Sequence, residues 1–128
     1  MALAFAGCGN SSDSDKLKIG VIQFAVHPSL DNCYNGFVQG LEEAGFKDGD
    51  NVIIDFQNAQ GQMETSDQLA KNMAAKQYDM LVGIATPSAM SAYAATMNTD
   101  IPTIFCAVSD PVGAKLVKSL ETPETNCT

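Results

Sequence analysis

The sequence predicts an α/β domain that is built on a doubly wound parallel sheet with helices on both faces. Short apolar runs that suit buried strands alternate four times with segments of helical periodicity, and the connections between them are short. Three of these runs are followed by a polar residue and a proline, at His27-Pro28, Thr86-Pro87 and Asp110-Pro111. Proline suits the first helical position because its missing N–H would have no helical partner there. Each junction therefore predicts the end of a strand and the start of a helix.

The first half of the chain contains two predicted strands, at residues 18–24 and 52–56, because both are runs of β-branched and other apolar residues. A helix is predicted between them from Pro28 to about Gly45, a residue type that commonly ends helices. Its apolar residues recur at the spacing of one helix face and are Leu30, Cys33, Tyr34, Phe37, Val38 and Leu41. A second helix is predicted over residues 63–76.

The second half repeats the pattern, with strands predicted at residues 80–85 and 101–108 and helices at residues 87–97 and 111–120. Crossovers between parallel strands are right-handed, so the helices are expected on both faces of the sheet. The carboxyl ends of the four strands and the positive ends of the helix dipoles then share one edge. A small anionic ligand is expected at that edge.

The composition is that of one ordinary globular domain. The chain has 128 residues, of which 45% are hydrophobic and 17% are charged. Its formal net charge of −8 would repel nucleic acid and anionic lipid, so functions that need a basic surface are not supported. No apolar run reaches the length of about eighteen residues that a membrane-spanning helix needs.

The amino-terminal residues 1–15 are predicted to be the remnant of a lipoprotein signal followed by a flexible tether. Residues 2–7 are small or apolar and end at Cys8, and residues 9–15 are polar. This stretch resembles the last part of a bacterial lipoprotein signal, in which Cys8 would carry the lipid. The basic region and most of the apolar region of such a signal are missing, so a chance run of small residues is the alternative.

Motifs for cofactors, metals and nucleophilic catalysis are missing from the sequence. No GxGxxG follows the first strand, and the chain has neither GxxxxGK[ST] nor GxSxG. Besides Cys8, the chain has three cysteines, Cys33, Cys106 and Cys127. An odd number of cysteines, with no CxxC and a single histidine, is not typical of a zinc site or a disulfide framework. No cofactor, no metal and no catalytic residue is therefore predicted.

The polar residues Thr86 and Ser88 follow the third strand and are the best candidates for ligand binding. If Thr86 caps the helix and Pro87 is its first residue, the N–H groups of Ser88 and Ala89 point outward beside two hydroxyl groups. Neutral donors at a helix amino terminus are suited to holding a carboxylate. The same residues would also serve simply to cap their own helix, and the spacing does not separate the two possibilities.

Further candidates are Gln23 and His27 after the first strand, and Ser109 and Asp110 after the fourth. Asp110 either caps the following helix or faces a ligand ammonium group, and capping is the commoner role. His27 is the only histidine, and a lone histidine is more often structural than catalytic.

Four segments of the chain together resemble one family of binding proteins: KIGVIQFAVHPSLDNCYNGFVQGLEEAGF, NVIIDFQNAQG, DMLVGIATPSAMSA and IPTIFCAVSDPVGAKLV. The family is that of ABC-transporter substrate-binding proteins of the type I periplasmic-binding-protein class, which includes tryptophan and tyrosine binders. The resemblance implies a Rossmann-like lobe, with residues 16–128 forming an incomplete amino-terminal lobe of a two-lobed protein. It also implies that Gln23, Thr86, Ser88, Ser109 and Asp110 lie near the ligand, with His27 in the same region.

The function that this resemblance implies is solute binding for an ABC importer, with an amino acid as the small-molecule ligand and a membrane permease as the partner. Lipidation of Cys8 would anchor the protein to the outer face of the cell membrane. One lobe offers half of the contacts, so weak binding is expected. Two alternatives are a cofactor-independent amino-acid racemase, which Asn126-Cys127-Thr128 faintly resembles, and the sensor lobe of a transcription regulator. The missing DNA-binding segment and the expected Cys8 anchor argue against the regulator.

Overall fold

The computed structural model describes residues 12–128, and the sheet it contains confirms the predicted fold class. Four parallel strands, β1 (Leu17–Gln23), β2 (Val52–Asn58), β3 (Met80–Ile84) and β4 (Thr103–Cys106), lie in the order β2-β1-β3-β4. The chain starts in the middle of the sheet, adds one strand on one side and then two on the other. Cys8 and residues 9–11 of the predicted tether lie outside the described residues.

Three helices connect the strands: α1 (Pro28–Glu43), α2 (Met63–Ala75) and α3 (Thr86–Thr96). The predicted helix ending near Gly45 is confirmed, because Gly45 has a φ of 92° and follows the last turn of α1. Its N–H donates to Glu42, and the N–H of Phe46 donates to Leu41, which together form a Schellman motif.

Each face of the sheet carries its own core. On one face α1 packs against a buried cluster of β-branched residues: Ile19, Val21, Val52, Val82 and Ile84. On the other face α2 and α3 cover a second cluster, made of Ile22, Ala59, Ala70, Met73, Leu81 and Ala92. Neighbouring residues such as Val21 and Ile22 point to opposite faces because side chains alternate along a strand. Both faces being covered explains why β1 and β3 are continuous apolar runs.

The prediction of a helix over residues 111–120 is wrong, because the chain makes one turn there and then reverses. Lys115 has a φ of 60°, its N–H donates to Val112, and the N–H of Leu116 donates to Pro111. This is again a Schellman motif, here closed by a lysine. The reversal buries Leu116 and Val117 against Ala89. Burial of these two side chains favours the reversal over a longer, exposed helix.

The last residues of the chain lie along the outer edge of β4. Thr103 donates to Asn126, Phe105 donates to Thr128, and Thr128 donates to Thr103, all through backbone groups. The side-chain amide of Asn126 also donates to the carbonyl oxygens of Thr96 and Ile101, at 2.9 and 2.8 Å. These bonds satisfy the edge of β4 and bury the intervening Cys127.

Candidate ligand-binding site

The four strands end at the same level of the sheet, at Gln23, Asn58, Ile84 and Cys106, and we call this the carboxyl edge. Gln23 lies opposite both Asn58 and Ile84, and Ile84 lies opposite Cys106. All six ligand-binding residues predicted from the sequence belong to β1 or to the segments that leave this edge after β1, β3 and β4. Their contact with a ligand stays a prediction.

Backbone strain is concentrated just beyond the carboxyl edge. Non-glycine residues with positive φ follow three of the four strands: Gln60 at 55°, Ala85 at 77° and Ala107 at 56°. Ala85 combines its φ with a ψ of 153°, a region that is almost restricted to glycine. Such residues cost of order 1–3 kcal/mol each and often occur at ligand-binding sites. Here they turn the chain sharply out of the sheet.

Helix α3 begins one residue earlier than the sequence predicts, which changes the role of Thr86. The residue before the helix is Ala85, so the prediction of Thr86 as N-cap is wrong, and no side chain caps this terminus. The N–H of Ala89 is also not free, because it donates to the carbonyl of Ala85 at 3.0 Å. The N–H groups of Thr86 and Ser88, and the Thr86 hydroxyl, have no hydrogen-bond partner among residues 12–128.

The side chain of Ser88 is buried between helices, not at the edge as predicted. Its hydroxyl lies 3.1 Å from the hydroxyl of Ser66 in α2. Next to this pair, Ser91 donates to the carboxylate of Asp67 at 2.6 Å. The two bonds join α2 to α3 in a largely apolar interface. At this terminus the hydroxyl of Ser88 is therefore engaged with Ser66, whereas its backbone N–H has no partner among residues 12–128.

Gln23 is fully buried at the end of β1 and is held by two acceptors. Its Nε2 donates to the carbonyl of Ala25 at 2.9 Å and to Asp31 Oδ1 at 2.7 Å. Its Oε1 is buried without any hydrogen-bond donor in the described part of the chain. Asp31, in the first turn of α1, was not among the residues predicted from the sequence. The one local signal in the sequence is that Asp31 falls in the first turn of a predicted helix, where a negative charge is favourable next to the helix dipole, and this does not indicate ligand binding.

The other predicted site residues are exposed, and two of them have structural roles. His27 is the N-cap of α1, where its Nδ1 accepts the Ser29 N–H at 3.1 Å. Asp110 Oδ1 accepts the Gly113 N–H at 2.8 Å, so the capping role considered for it is present, although the turn is too short to be a helix. Ser109 is exposed and makes no side-chain hydrogen bond with residues 12–128.

A second region of interest lies away from these residues, beside β1 and β2. An open cavity of about 390 Å³ is lined by Asp13, Lys18, Ile53, Ile54, Asp55 and Tyr78. The Tyr78 hydroxyl donates to Asp55 at 2.7 Å, and this bond, with burial and the negative charge of Asp55, raises the pKa of Tyr78 to about 12. None of the predicted ligand-binding residues lines this cavity.

The described part of the chain, residues 12–128, contains no group of three or more histidine, cysteine or acidic residues arranged to hold a metal ion. Cys33, Cys106 and Cys127 are all free thiols. Among the helices of the same residues, none has the length and apolar character needed to cross a membrane.

Comparisons with known proteins agree with the fold and indicate the family. The family model for ABC transporter substrate binding proteins matches residues 18–128. A curated relative, the tyrosine-binding protein of Clostridioides difficile (strain R20291), is 52% identical over 116 residues, which are 90% of this chain and 33% of the relative.

Solved structures give the same result. A ligand-free, open substrate-binding protein with adhesive properties from Clostridium difficile matches with a TM-score of 0.84 and 51% identity, over 88% of this chain and 37% of that one. An ABC domain in complex with L-Trp from Streptococcus pneumonia matches with a TM-score of 0.83 and 47% identity, over the same shares of both chains. The chain thus spans about a third of the length of the relatives it matches. Because the family model covers almost the whole chain, the protein belongs to the family of ABC transporter substrate-binding proteins.

Proposed function

We propose that the chain is the amino-terminal ligand-binding lobe of the solute receptor of an ABC importer, and that its ligand is an aromatic amino acid. The relatives named above support the ligand class, since one is a tyrosine-binding protein and one was solved with L-Trp. The likeness covers the whole carboxyl edge, which lies within the matched residues 18–128.

The observation that carries this proposal is the uncapped amino terminus of α3. The N–H groups of Thr86 and Ser88 and the Thr86 hydroxyl are three donors without partners in the described chain, at the positive end of a helix dipole. A ligand carboxylate would satisfy these donors. In a chain with a net charge of −8, such neutral donors supply local attraction for an anion without a basic side chain.

The mechanism of closure follows from the division of the ligand contacts between two lobes, of which this chain would supply one. In a two-lobed receptor, ligand contacts both lobes only in the closed form, so binding shifts the population toward closure. The closed form would dock on a membrane permease, and no cofactor is required. The protein would act outside the cytoplasm, with Cys8 as the lipid anchor. One lobe alone makes only part of these contacts, so its affinity should be low.

A titration followed by nuclear magnetic resonance tests the proposal. L-Tryptophan and L-tryptophanamide, which lacks the carboxylate, are added separately to the ¹⁵N-labelled 128-residue chain. We expect millimolar binding of L-tryptophan, amide shifts concentrated at residues 84–89, and roughly tenfold weaker binding of the amide because a charge-assisted contact is lost. Shifts confined to the cavity beside Tyr78 would contradict the proposed site. Submicromolar binding would contradict the single-lobe mechanism.

The racemase alternative finds no support in the described residues. Cys127 is fully buried beside Thr103, at the start of β4, and burial raises its pKa to about 11. A thiol with that pKa stays protonated at neutral pH and is a poor nucleophile. It also lies at the opposite end of β4 from the carboxyl edge.

A further inference from the structure

The open cavity beside β1 and β2 has an aromatic wall that is fixed in place. The ring of Tyr78 lies against the backbone of Gly20, where an added Cβ would be 3.0 Å from the ring. At its other end the Tyr78 hydroxyl donates to Asp55 at 2.7 Å. The cavity volume of about 390 Å³ falls within the range of small-molecule sites. Because the wall is held at two points, binding there requires little ordering of the protein.

Three charged side chains line this cavity, and their pairing leaves one charge of each sign available. Asp13 forms an ion pair with Lys16 at 3.0 Å. Asp55 accepts hydrogen bonds from neutral donors only, Tyr78 among them. The ammonium group of Lys18 has neither an ion-pair nor a hydrogen-bond partner among residues 12–128, since its recorded bond is made by the backbone N–H.

The two available charges lie on the same face of the sheet with an apolar residue between them. Lys18 pairs with Ile53 in the β1–β2 ladder, and Gly20 pairs with Asp55, so all four residues share the face that α2 covers. Strand spacing and the rise per residue place the Cα atoms of Lys18 and Asp55 roughly 8 Å apart. The floor of the cavity is therefore positive at Lys18, apolar at Ile53 and negative at Asp55.

This arrangement favours a ligand that carries both charges. The hydrogen bond to Asp55 raises the pKa of Tyr78 to about 12, so the proton stays on the phenol and the negative charge stays on the carboxylate. A carboxylate that accepts two hydrogen bonds has lone pairs left for an ammonium group. A ligand with a single charge would meet attraction at one end of the floor and repulsion at the other.

We propose that this cavity is a second binding site, which takes a small zwitterion with an apolar linker. Its carboxylate would bind Lys18, its ammonium group would bind Asp55, and its linker would lie on Ile53. The site lies near the amino ends of β1 and β2, away from the carboxyl edge, so this inference goes beyond the proposed function and does not depend on it.

The test is a titration of the ¹⁵N-labelled chain with 5-aminopentanoate, whose two charges are separated by four methylene groups. Pentanoate and pentylamine each keep one of these charges and are titrated separately. The same three compounds are added to Lys18→Gln and Asp55→Asn. Lys47→Gln and Asp50→Asn are the matched controls, because both residues are exposed, neither lines the cavity, and the changes in charge are the same.

We expect millimolar binding of 5-aminopentanoate, with amide shifts at residues 18, 53–55 and 78, and about three- to fivefold weaker binding of each one-charge compound. Lys18→Gln should abolish the preference over pentylamine, and Asp55→Asn should abolish the preference over pentanoate. Asparagine keeps an acceptor for the Tyr78 hydroxyl, so the wall stays in place. The two control variants should bind as the unmodified chain does.

Three results would overturn the inference. One is the absence of shifts at these residues up to about 50 mM 5-aminopentanoate, which would mean that Lys18 and Asp55 satisfy each other or are satisfied by water. The second is equal binding of the zwitterion and pentylamine by the unmodified chain. The third is an equal loss in the control variants, which would show an effect of net charge alone. The proposed function is tested separately, by L-tryptophan shifts at residues 84–89, so either proposal can fail without the other.

Discussion

The junctions after β3 and after β4 begin alike and then differ. In both, an alanine with positive φ follows the strand, Ala85 at 77° and Ala107 at 56°, and a proline follows within four residues. After β3 the chain continues as the eleven-residue helix α3, whereas after β4 it makes one turn and reverses at Lys115. The residues up to the proline do not explain the difference.

The cause is the set of side chains that each junction has to bury. In α3 the small residues Ala89 and Ala92 are buried and let the helix lie close to the sheet. After β4 the large side chains Leu116 and Val117 are the ones that reach the core, and they do so only because the chain turns back. Tertiary packing therefore decides whether the same start becomes a helix.

The two junctions also use their polar side chains differently. One carboxylate oxygen of Asp110 accepts a hydrogen bond from the Gly113 N–H. By contrast, the Thr86 hydroxyl and the N–H groups of Thr86 and Ser88 have no partner among residues 12–128. The first arrangement stabilises a turn, and the second leaves donors without a partner in the described part of the chain. This contrast is why we place the ligand carboxylate at the β3–α3 junction.

The largest effect is expected from Gly83→Ala, which would break the β3–α3 junction. A Cβ at Gly83 would lie 2.4 Å from the Cα and 2.5 Å from the backbone nitrogen of Ala89. Backbone atoms cannot move aside as a flexible side chain does, so we expect a loss of more than about 3 kcal/mol in the free energy of unfolding. Urea denaturation measures this loss.

Gly36→Ala provides the matched control for this change. Gly36 lies on the exposed side of α1, and a Cβ there would meet no atom within 4 Å. The same substitution should therefore raise stability by roughly 0.5–1 kcal/mol, because alanine favours a helix over glycine. Equal effects at the two positions would show that α3 does not pack tightly on β3.

The next effect concerns the turn after β4. Leu116→Ala removes a fully buried side chain that packs near Ala89 and Cys127, and should cost about 2–3 kcal/mol of unfolding free energy. Leu120→Ala is the control, because Leu120 is 75% exposed and its truncation should change stability by less than about 0.5 kcal/mol. A small loss in both variants would refute packing as the reason why the chain reverses.

The strands and the three helices follow from local patterns, which is why the sequence predicts them well. Apolar runs and i, i+3, i+4 spacing depend on neighbours in the chain, and Gly45 ends α1 as glycine commonly does. The turn closed by Lys115 carries no such signal, since lysine is not typical of positive φ. A helix was therefore predicted where the chain reverses.

The errors in the candidate site have a different origin, because they depend on distant residues. The burial of Ser88 results from its contact with Ser66, 22 residues away in the chain. The start of α3 at Thr86 depends on the strained Ala85, and alanine gives no sign of that conformation. Asp31 is tied to the carboxyl edge only through its hydrogen bond with Gln23 on another element. Local spacing predicts which residues lie at the carboxyl edge, but it does not predict the contacts that each side chain makes there.

Removing the two polar side chains tests how differently the junctions use them. Asp110→Ala should lower the unfolding free energy by about 1 kcal/mol, because the hydrogen bond to Gly113 is lost. Thr86→Ala should lower it by less than about 0.5 kcal/mol, since its hydroxyl is not bonded within residues 12–128, yet it should weaken L-tryptophan binding. Thermal or urea unfolding and the ligand titration give the two readouts. The reverse order of stabilities would contradict our assignment of the two side chains.

The smallest effect should come from Lys115→Gly, which makes the turn after β4 resemble the end of α1. Lys115 has a φ of 60° at the same position of a Schellman motif that Gly45 fills with a φ of 92°. Glycine adopts this conformation without the steric cost that a side chain bears, so we expect a gain of roughly 0.5–1 kcal/mol. Gly45→Ala should give a loss of similar size, and urea denaturation of both variants measures the pair. If Lys115→Gly destabilises the protein instead, the lysine side chain contributes more to the turn than its backbone strain costs.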